Sequence, residues 1–183
     1  MLSHLLHRYG IASVVIDTRS REAIKTTIRA GVLEQGTADL MTQTGIGECM
    51  HREGFVHHGF ELRFAGQGHR IDVHGLTGRI ITPYAQHEVL RDLIRALLMD
   101  GGDLRFGVSQ TNLNNVTGDH PQIRFVDSDG VAREIDCDYI AGCDGFSASV
   151  AKRSPKPSAR NTCGSIRSAG SASCAVPRHH LTK

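Results

Sequence analysis

The sequence predicts an α/β domain built on a parallel sheet, and three observations carry that prediction. Short apolar runs that read as buried strands, 12–17 and 138–143, alternate with helical patterns. Residues 86–99 hold the clearest amphipathic helix, with Val89, Leu90, Leu93, Ile94, Leu97 and Leu98 at helical spacing. Between these, Phe60, Leu62 and Phe64 alternate with polar residues ahead of a glycine-rich turn, which predicts an antiparallel insertion.

Taken in order, Leu2, Leu5, Leu6 and Tyr9 predict a first helix that Gly10 stops. The run Ala12 to Asp17 follows as a buried strand closing on an acid. Residues 30–42 read as a second helix, with Val32, Leu33, Leu40 and Met41 apolar. The hairpin turns at Gly66–Gln67–Gly68 and returns through Arg70 to Val73. Gly101–Gly102 ends the long helix. Strands are expected at 104–108, 122–127 and 131–136, the last two joined by Asp127–Ser128–Asp129–Gly130, and a further strand runs into Asp144–Gly145.

Composition narrows the class. With 183 residues, 39% hydrophobic and 22% charged, the chain has the balance of an ordinary soluble globular protein. No apolar run reaches the roughly 18 residues of a membrane span, and MLSHLLHRYG lacks the apolar stretch and cleavage site of a secretory signal. Five cysteines without finger or ribbon spacing point to a reducing compartment, so a cytoplasmic location is expected, with no membrane partner. The net charge of +2 is uneven: residues 147–183 hold seven Lys or Arg and no Asp or Glu. That segment also has eight serines, three of the five prolines and no aromatic residue. It lacks the apolar area to offset its ordering entropy, so 1–146 is expected to fold and 147–183 to form a disordered tail.

Several residues could carry chemistry, each with a plainer alternative. Asp17, at a strand end, could accept hydrogen bonds from ribose hydroxyls, although most strand-end aspartates cap turns. Arg29 could place a guanidinium on a pyrophosphate, with Gly31 permitting close backbone approach; otherwise it is a solvated arginine. Gln86 could hydrogen-bond a ligand or face water at a helix start. Asp144–Gly145 could touch a cofactor's sugar or phosphate, or form a turn. A Gly-rich phosphate loop should precede Asp17 and is not there; Gly45–Ile46–Gly47, followed by Glu48, is not that loop. His51, His57 and His58 near Glu53 match no metal-site spacing and read as a solvated loop. Cys137 and Cys143 read as small buried hydrophobes. The scattered basic residues of the tail lack aromatic partners, so nucleic acid is not expected to bind.

The stretch Ile28–Arg29–Ala30–Gly31–Val32–Leu33–Glu34–Gln35–Gly36 resembles the 4-hydroxybenzoate 3-monooxygenase family of FAD-dependent aromatic hydroxylases. Tyr84–Ala85–Gln86–His87–Glu88–Val89–Leu90–Arg91–Asp92–Leu93 and the run from Asp136 to Phe146 support the likeness, which covers about residues 2–146. The resemblance implies a doubly wound, Rossmann-like FAD-binding domain. It implies that Asp17 holds the adenosine ribose, where the family has a longer glutamate. It implies that Arg29 lies near the FAD pyrophosphate within a segment, Ile28 to Val32, that wraps the cofactor. Gln86 then contacts FAD, and Asp144–Gly145 lie near FAD and NADPH. Thr18 and Thr27 stand where family members have arginines, which puts pyridine-nucleotide preference in question. In this family NADPH reduces the flavin, the reduced flavin reacts with oxygen, and 4-hydroxybenzoate becomes protocatechuate. Intact members are expected to be homodimers. The residues that grip the aromatic substrate have no counterpart in the matched stretch, so no catalytic residue is assigned.

Two departures from the family shape the expectation. Its opening strand and GxGxxG loop are missing, so the fold is expected to be incomplete, with neighbouring strands deprived of partners at about 1–3 kcal/mol per buried unpaired group. The likeness also stops after Phe146. Reading the tail codons at one fixed offset lets Ile166 to Ala172 encode Tyr-Pro-Phe-Gly-Trp-Leu-Gly, a family-like segment, and the same offset gives Ile-Gly-Arg-Lys-Ala-Ile-Pro from Ala148 onward. A frameshifted tail is therefore expected. The chain is expected to be an N-terminal fragment of such a hydroxylase, inactive by itself; the alternative is a gene remnant or a weak FAD- or ADP-binding module.

Overall fold

The computed structural model describes residues 1–143 and the backbone of 172–177. In chain order the elements begin α1 (Leu2–Arg8), β1 (Val14–Asp17), α2 (Arg21–Thr26), β2 (Val32–Glu34), α3 (Gln35–Gln43), α4 (Glu48–Glu53), β3 (Phe60–Phe64) and β4 (Gln67–Ile71). They continue α5 (Val73–Thr77), β5 (Ile81–Pro83), α6 (Gln86–Met99), β6 (Asp103–Phe106), β7 (Ser109–Asn114), β8 (Gln122–Val126), β9 (Ala132–Gly142) and β10 (Ala172–Pro177). The α/β class is the one the sequence predicts, but the sheet is not the parallel one expected: only β1 and β6 pair parallel, and the other pairs of that sheet are antiparallel. The chain divides into two units, Met1–Ala23 with Leu97–Lys183, and Ile24–Ala96.

The first unit is organised by a six-stranded sheet of order β6-β1-β10-β9-β8-β7. β1 pairs parallel with β6, setting Val14 against Asp103 and Asp17 against Phe106. Its core joins Val14 and Ile16 to Val108, Leu113, Ile123, Phe125, Ile135 and Cys137. The apolar residues of β1, β8 and β9 that enter it are spaced two apart, as a pleated strand requires. Arg105 lies over the Phe125 ring at 5.7 Å and pairs with Asp103.

The second unit holds two short antiparallel pairs, β2 with β5 and β3 with β4. Met41 and Met50, from α3 and α4, are fully buried, and Ile24, Ala38 and Ile46 are buried as well. The β3–β4 hairpin turns at Ala65–Gly66 rather than at Gly66–Gly68, with both residues at positive φ (50° and 74°) as a two-residue hairpin turn demands.

Several elements differ from expectation for identifiable reasons. Val32–Glu34 is strand, not the start of a helix, because it pairs with Ile81–Pro83; α3 begins only at Gln35. The strands expected at 131–136 and 138–143 form one strand, β9, running through Cys137, whose backbone N–H and thiol both donate to the Pro121 carbonyl. Cys137 is buried as expected, but Cys143 is exposed. β7 is largely polar, and its register shift between Ser109 and Asn112 spans Gln110 at φ 51°.

The tail contributes one element. Ala172–Pro177, within the segment expected to be disordered, forms β10 and pairs antiparallel with β1 on one side and β9 on the other. β1 and β9 therefore both have a partner here, where bare edges were expected. The rest of 147–183, including most of the segment expected to be frameshifted, lies outside the described residues.

Candidate functional site

Within the second unit, the structure brings Arg29 and Gln86 together. The Gln86 N–H donates to the Arg29 carbonyl at 3.3 Å, and the Tyr84 N–H donates to the Gly31 carbonyl at 3.1 Å. These bonds extend the β2–β5 ribbon, so residues 29–34 and 81–86 run as one antiparallel pair. Gly31 is required by this pairing: a Cβ there would stand 2.2 Å from the Tyr84 carbonyl oxygen and 2.6 Å from the Gln86 nitrogen. Its missing side chain thus serves chain-to-chain approach, where the sequence suggested approach to a ligand.

Arg29 is half-buried, and its guanidinium makes no hydrogen bond or ion pair among the described residues. The Gln86 side-chain amide is in the same condition, at the first residue of the 14-residue α6. Ile28 and Val32 stand well out of the fold, 82% and 62% exposed. The Ile28–Val32 segment thus offers a cation, flanking apolar side chains and the exposed Ala30, beside a second polar group at a helix start. This is a donor set suited to a phosphate-bearing ligand.

A buried pair braces that ribbon. The Tyr84 hydroxyl donates to Asp92 Oδ2 at 2.7 Å, linking the end of the β5 strand segment to the second turn of α6. Both residues are buried, at 4% and 7% exposure. Burial first, and then the hydrogen bond to the Asp92 carboxylate, hold the Tyr84 phenol well above its ordinary pKa. Sequence reasoning missed this pair. Its signal was an aspartate among the apolar positions of α6, eight residues after a tyrosine.

In the first unit, Asp17 sits at the C-terminal end of β1, on the side where parallel sheets receive ligands. It is 5% exposed, and both carboxylate oxygens are engaged by one residue. Oδ1 accepts from the Arg19 backbone N–H at 2.9 Å and from Nε at 3.2 Å; Oδ2 accepts from Nη2 at 3.0 Å. The Gly107 N–H donates to the Arg19 carbonyl and the Val108 N–H to the Asp17 carbonyl, fixing the strand end. Arg19 was not singled out from the sequence, though its place two residues after the acid was visible.

The remaining candidates resolve simply. Asp144 and Gly145 lie outside the described residues. Gly45 and Gly47 form the connection between α3 and α4, with the Ile46 N–H donating to the Met41 carbonyl, and are not a phosphate loop. His51 Nε2 lies 2.8 Å from Thr42 Oγ1, while the His58 and His74 rings lie tilted against one another with centroids 4.9 Å apart. Among the described residues no group of three His, Cys, Asp or Glu is placed to hold a metal ion, and no helix is long and apolar enough to cross a membrane.

The family described as FAD binding domain matches residues 1–177, past the Phe146 at which the likeness was expected to end. The p-hydroxybenzoate hydroxylase of Acinetobacter baylyi is 35% identical over 147 residues, covering 80% of this chain. The chain spans only 36% of that relative's length. Among solved structures, the flavin-dependent monooxygenase PieE, in complex with FAD and substrate, superposes with a TM-score of 0.63 at 23% identity, over 82% of this chain and 29% of its own. PqsL of Pseudomonas aeruginosa, in complex with 2-aminobenzoylacetate, gives 0.63 at 17% identity, over 83% and 41%. The p-nitrophenol 4-monooxygenase PnpA of Pseudomonas putida gives 0.58 at 14%, over 74% and 34%. These structural likenesses speak to the fold.

Proposed function

The chain belongs to the FAD binding domain family, and from that premise we propose that it carries the nucleotide-holding part of an FAD-dependent aromatic hydroxylase resembling 4-hydroxybenzoate 3-monooxygenase. The observation that carries this reading is the Arg29–Gln86 pairing, which sets on one ribbon a guanidinium and an amide without partners among the described residues. The residues present suit FAD in chemistry. Arg29 would hold the pyrophosphate, Ile28 to Val32 would lie along the cofactor, and the Gln86 amide would hydrogen-bond it. Asp17, at its strand end, would accept from the adenosine ribose once Arg19 yields an oxygen. Asp144 and Gly145 complete the proposed contacts.

When bound, FAD supplies the redox chemistry of hydroxylation. This chain's residues bind and orient; none is assigned a proton transfer or a contact with the aromatic ring. We therefore propose that the chain alone does not hydroxylate. Use of NADPH, action on 4-hydroxybenzoate, homodimer formation and a cytoplasmic location belong to this reading of the whole protein. A second reading, a weak FAD- or ADP-binding module without catalysis, is favoured by the engagement of both Asp17 oxygens. The sheet also fits an incomplete doubly wound fold: β10 stands between β1 and β9, where such a fold has the strand that leads into its phosphate loop.

Flavin fluorescence titration of the purified chain tests the proposal. Saturable quenching that weakens in Arg29→Ala and Gln86→Ala supports it. Added NADPH and 4-hydroxybenzoate should give no substrate-dependent NADPH oxidation; turnover would overturn the non-catalytic part alone.

A further inference from the structure

Among the described residues, the β3–β4 hairpin is a two-stranded sheet by itself, and each of its strands pairs on one side only. Two strands alone are marginal in water; added strands stabilise them. Side chains alternate along β3. Phe60, Leu62 and Phe64 share one face, where they are 44%, 48% and 60% exposed. Glu61 and Arg63 share the other and form an ion pair.

The backbone decides which groups face outward. Phe64 pairs with Gln67 across the two-residue turn, and such a closing pair exchanges both its hydrogen bonds. Bonded pairs alternate, so Leu62 and Phe60 also turn their backbone groups toward His69 and Ile71 of β4. The N–H and C=O groups of Glu61 and Arg63 are the ones left on the outer edge of β3.

We infer that this edge is a self-recognition surface whose occupant is a second copy of the chain, the two hairpins joining into a four-stranded antiparallel sheet about a two-fold axis at Leu62. Such an arrangement sets Glu61 of each copy opposite Arg63 of the other, and the two pairs exchange hydrogen bonds through all the outward groups. On the apolar face Leu62 meets Leu62, and Phe60 meets Phe64 of the second copy. Charge selects this register. Centring the axis on Glu61 opposes two carboxylates, and centring it on Arg63 opposes two guanidinium groups; like charges directly opposite destabilise a sheet. The outer edge of β4 has no such complement, since pairing there about His69 sets Arg70 against Gly68. The interface lies in the hairpin and does not depend on FAD or on the homodimer proposed for the whole protein.

Sedimentation of the full chain over a range of concentrations tests it. Reversible dimer formation is expected. Glu61→Arg and Arg63→Glu, each alone, should weaken the dimer by about tenfold or more, because each replaces two attractive pairs with two repulsive ones. An equimolar mixture of the two variants should restore a heterodimer, and the double variant Glu61→Arg/Arg63→Glu should dimerise like the parent. A non-bonded antiparallel pair brings Cα atoms to about 4.5 Å, within disulfide reach. Oxidised Leu62→Cys should therefore yield a peptide linked 62 to 62, and Phe60→Cys should yield no link from 60 to 60. A chain that stays monomeric up to about 1 mM, a dimer indifferent to the charge reversals, variants that do not recover on mixing, or a missing 62–62 link would overturn the inference. All these substitutions fall on exposed residues, and the double variant shows whether reversed charges disturb the fold. Flavin titration of the same samples separates the readings: dimers without flavin binding leave this interface standing and count against the FAD proposal.

Discussion

The hydroxyl of Tyr84 and the carboxylate of Asp92 form a buried hydrogen bond of 2.7 Å that ties the Gln86-bearing end of the β5 strand segment to α6. Asp92 makes no other hydrogen bond among the described residues. Tyr84→Phe should therefore leave a buried carboxylate without its donor and lower unfolding free energy by about 1–3 kcal/mol. Urea denaturation checks this. A loss below a few tenths would mean the pair is not structural.

The same bond sets a pH dependence. The folded chain holds the Tyr84 proton to higher pH than the unfolded chain, whose phenol ionises near pH 10. The unfolded state then binds fewer protons, so stability is fully present below about pH 10 and falls as pH rises beyond it. Denaturation midpoints at stepped alkaline pH should show this fall, and Tyr84→Phe should flatten it.

Gly31→Ala should be more damaging than its single methyl suggests. The new Cβ meets backbone, not a movable side chain, within 2.2 Å. Separation of residues 29–31 from 84–86 should cost about 1–3 kcal/mol, as overpacking does, and should weaken FAD binding with it. Gly36→Ala, with nothing within 4 Å of the added Cβ, is the control expected to change neither.

Asp17 and Arg19 give opposite expectations. Asp17→Asn removes a charged acceptor and should weaken FAD binding about tenfold, the worth of a hydrogen bond to a charged group. Arg19→Ala frees Asp17 Oδ2 and should strengthen binding about two- to fivefold, the worth of a partly exposed ion pair. Isothermal titration with FAD distinguishes them. Equal weakening by both would show that Arg19 is part of the site and not a competitor for its carboxylate.

What was legible in the sequence follows from the range of the forces involved. The long helix and the apolar strands were readable because their periodicity is local; so was the acid at the end of β1. Arg29 and Gln86 were singled out separately, but their pairing depends on a contact across more than fifty residues that no local pattern encodes. Val32–Glu34 looked helical because β5, which makes it a strand, is remote. The Tyr84–Asp92 bond was not legible because a lone aspartate among the apolar positions of a helix carries no local mark of its partner. β10 was missed for a different reason: its composition disfavours a strand, and only the two ladders offered by β1 and β9 account for it.

Titration of the full chain with FAD, followed by flavin fluorescence, for the parent, Arg29→Ala and Asp17→Asn, tests most directly whether these residues hold the cofactor. Saturable one-to-one quenching is expected in the parent, with binding weaker by about tenfold in each variant. A folded parent chain that leaves flavin fluorescence unchanged, or that binds FAD equally well with either residue replaced, would contradict it.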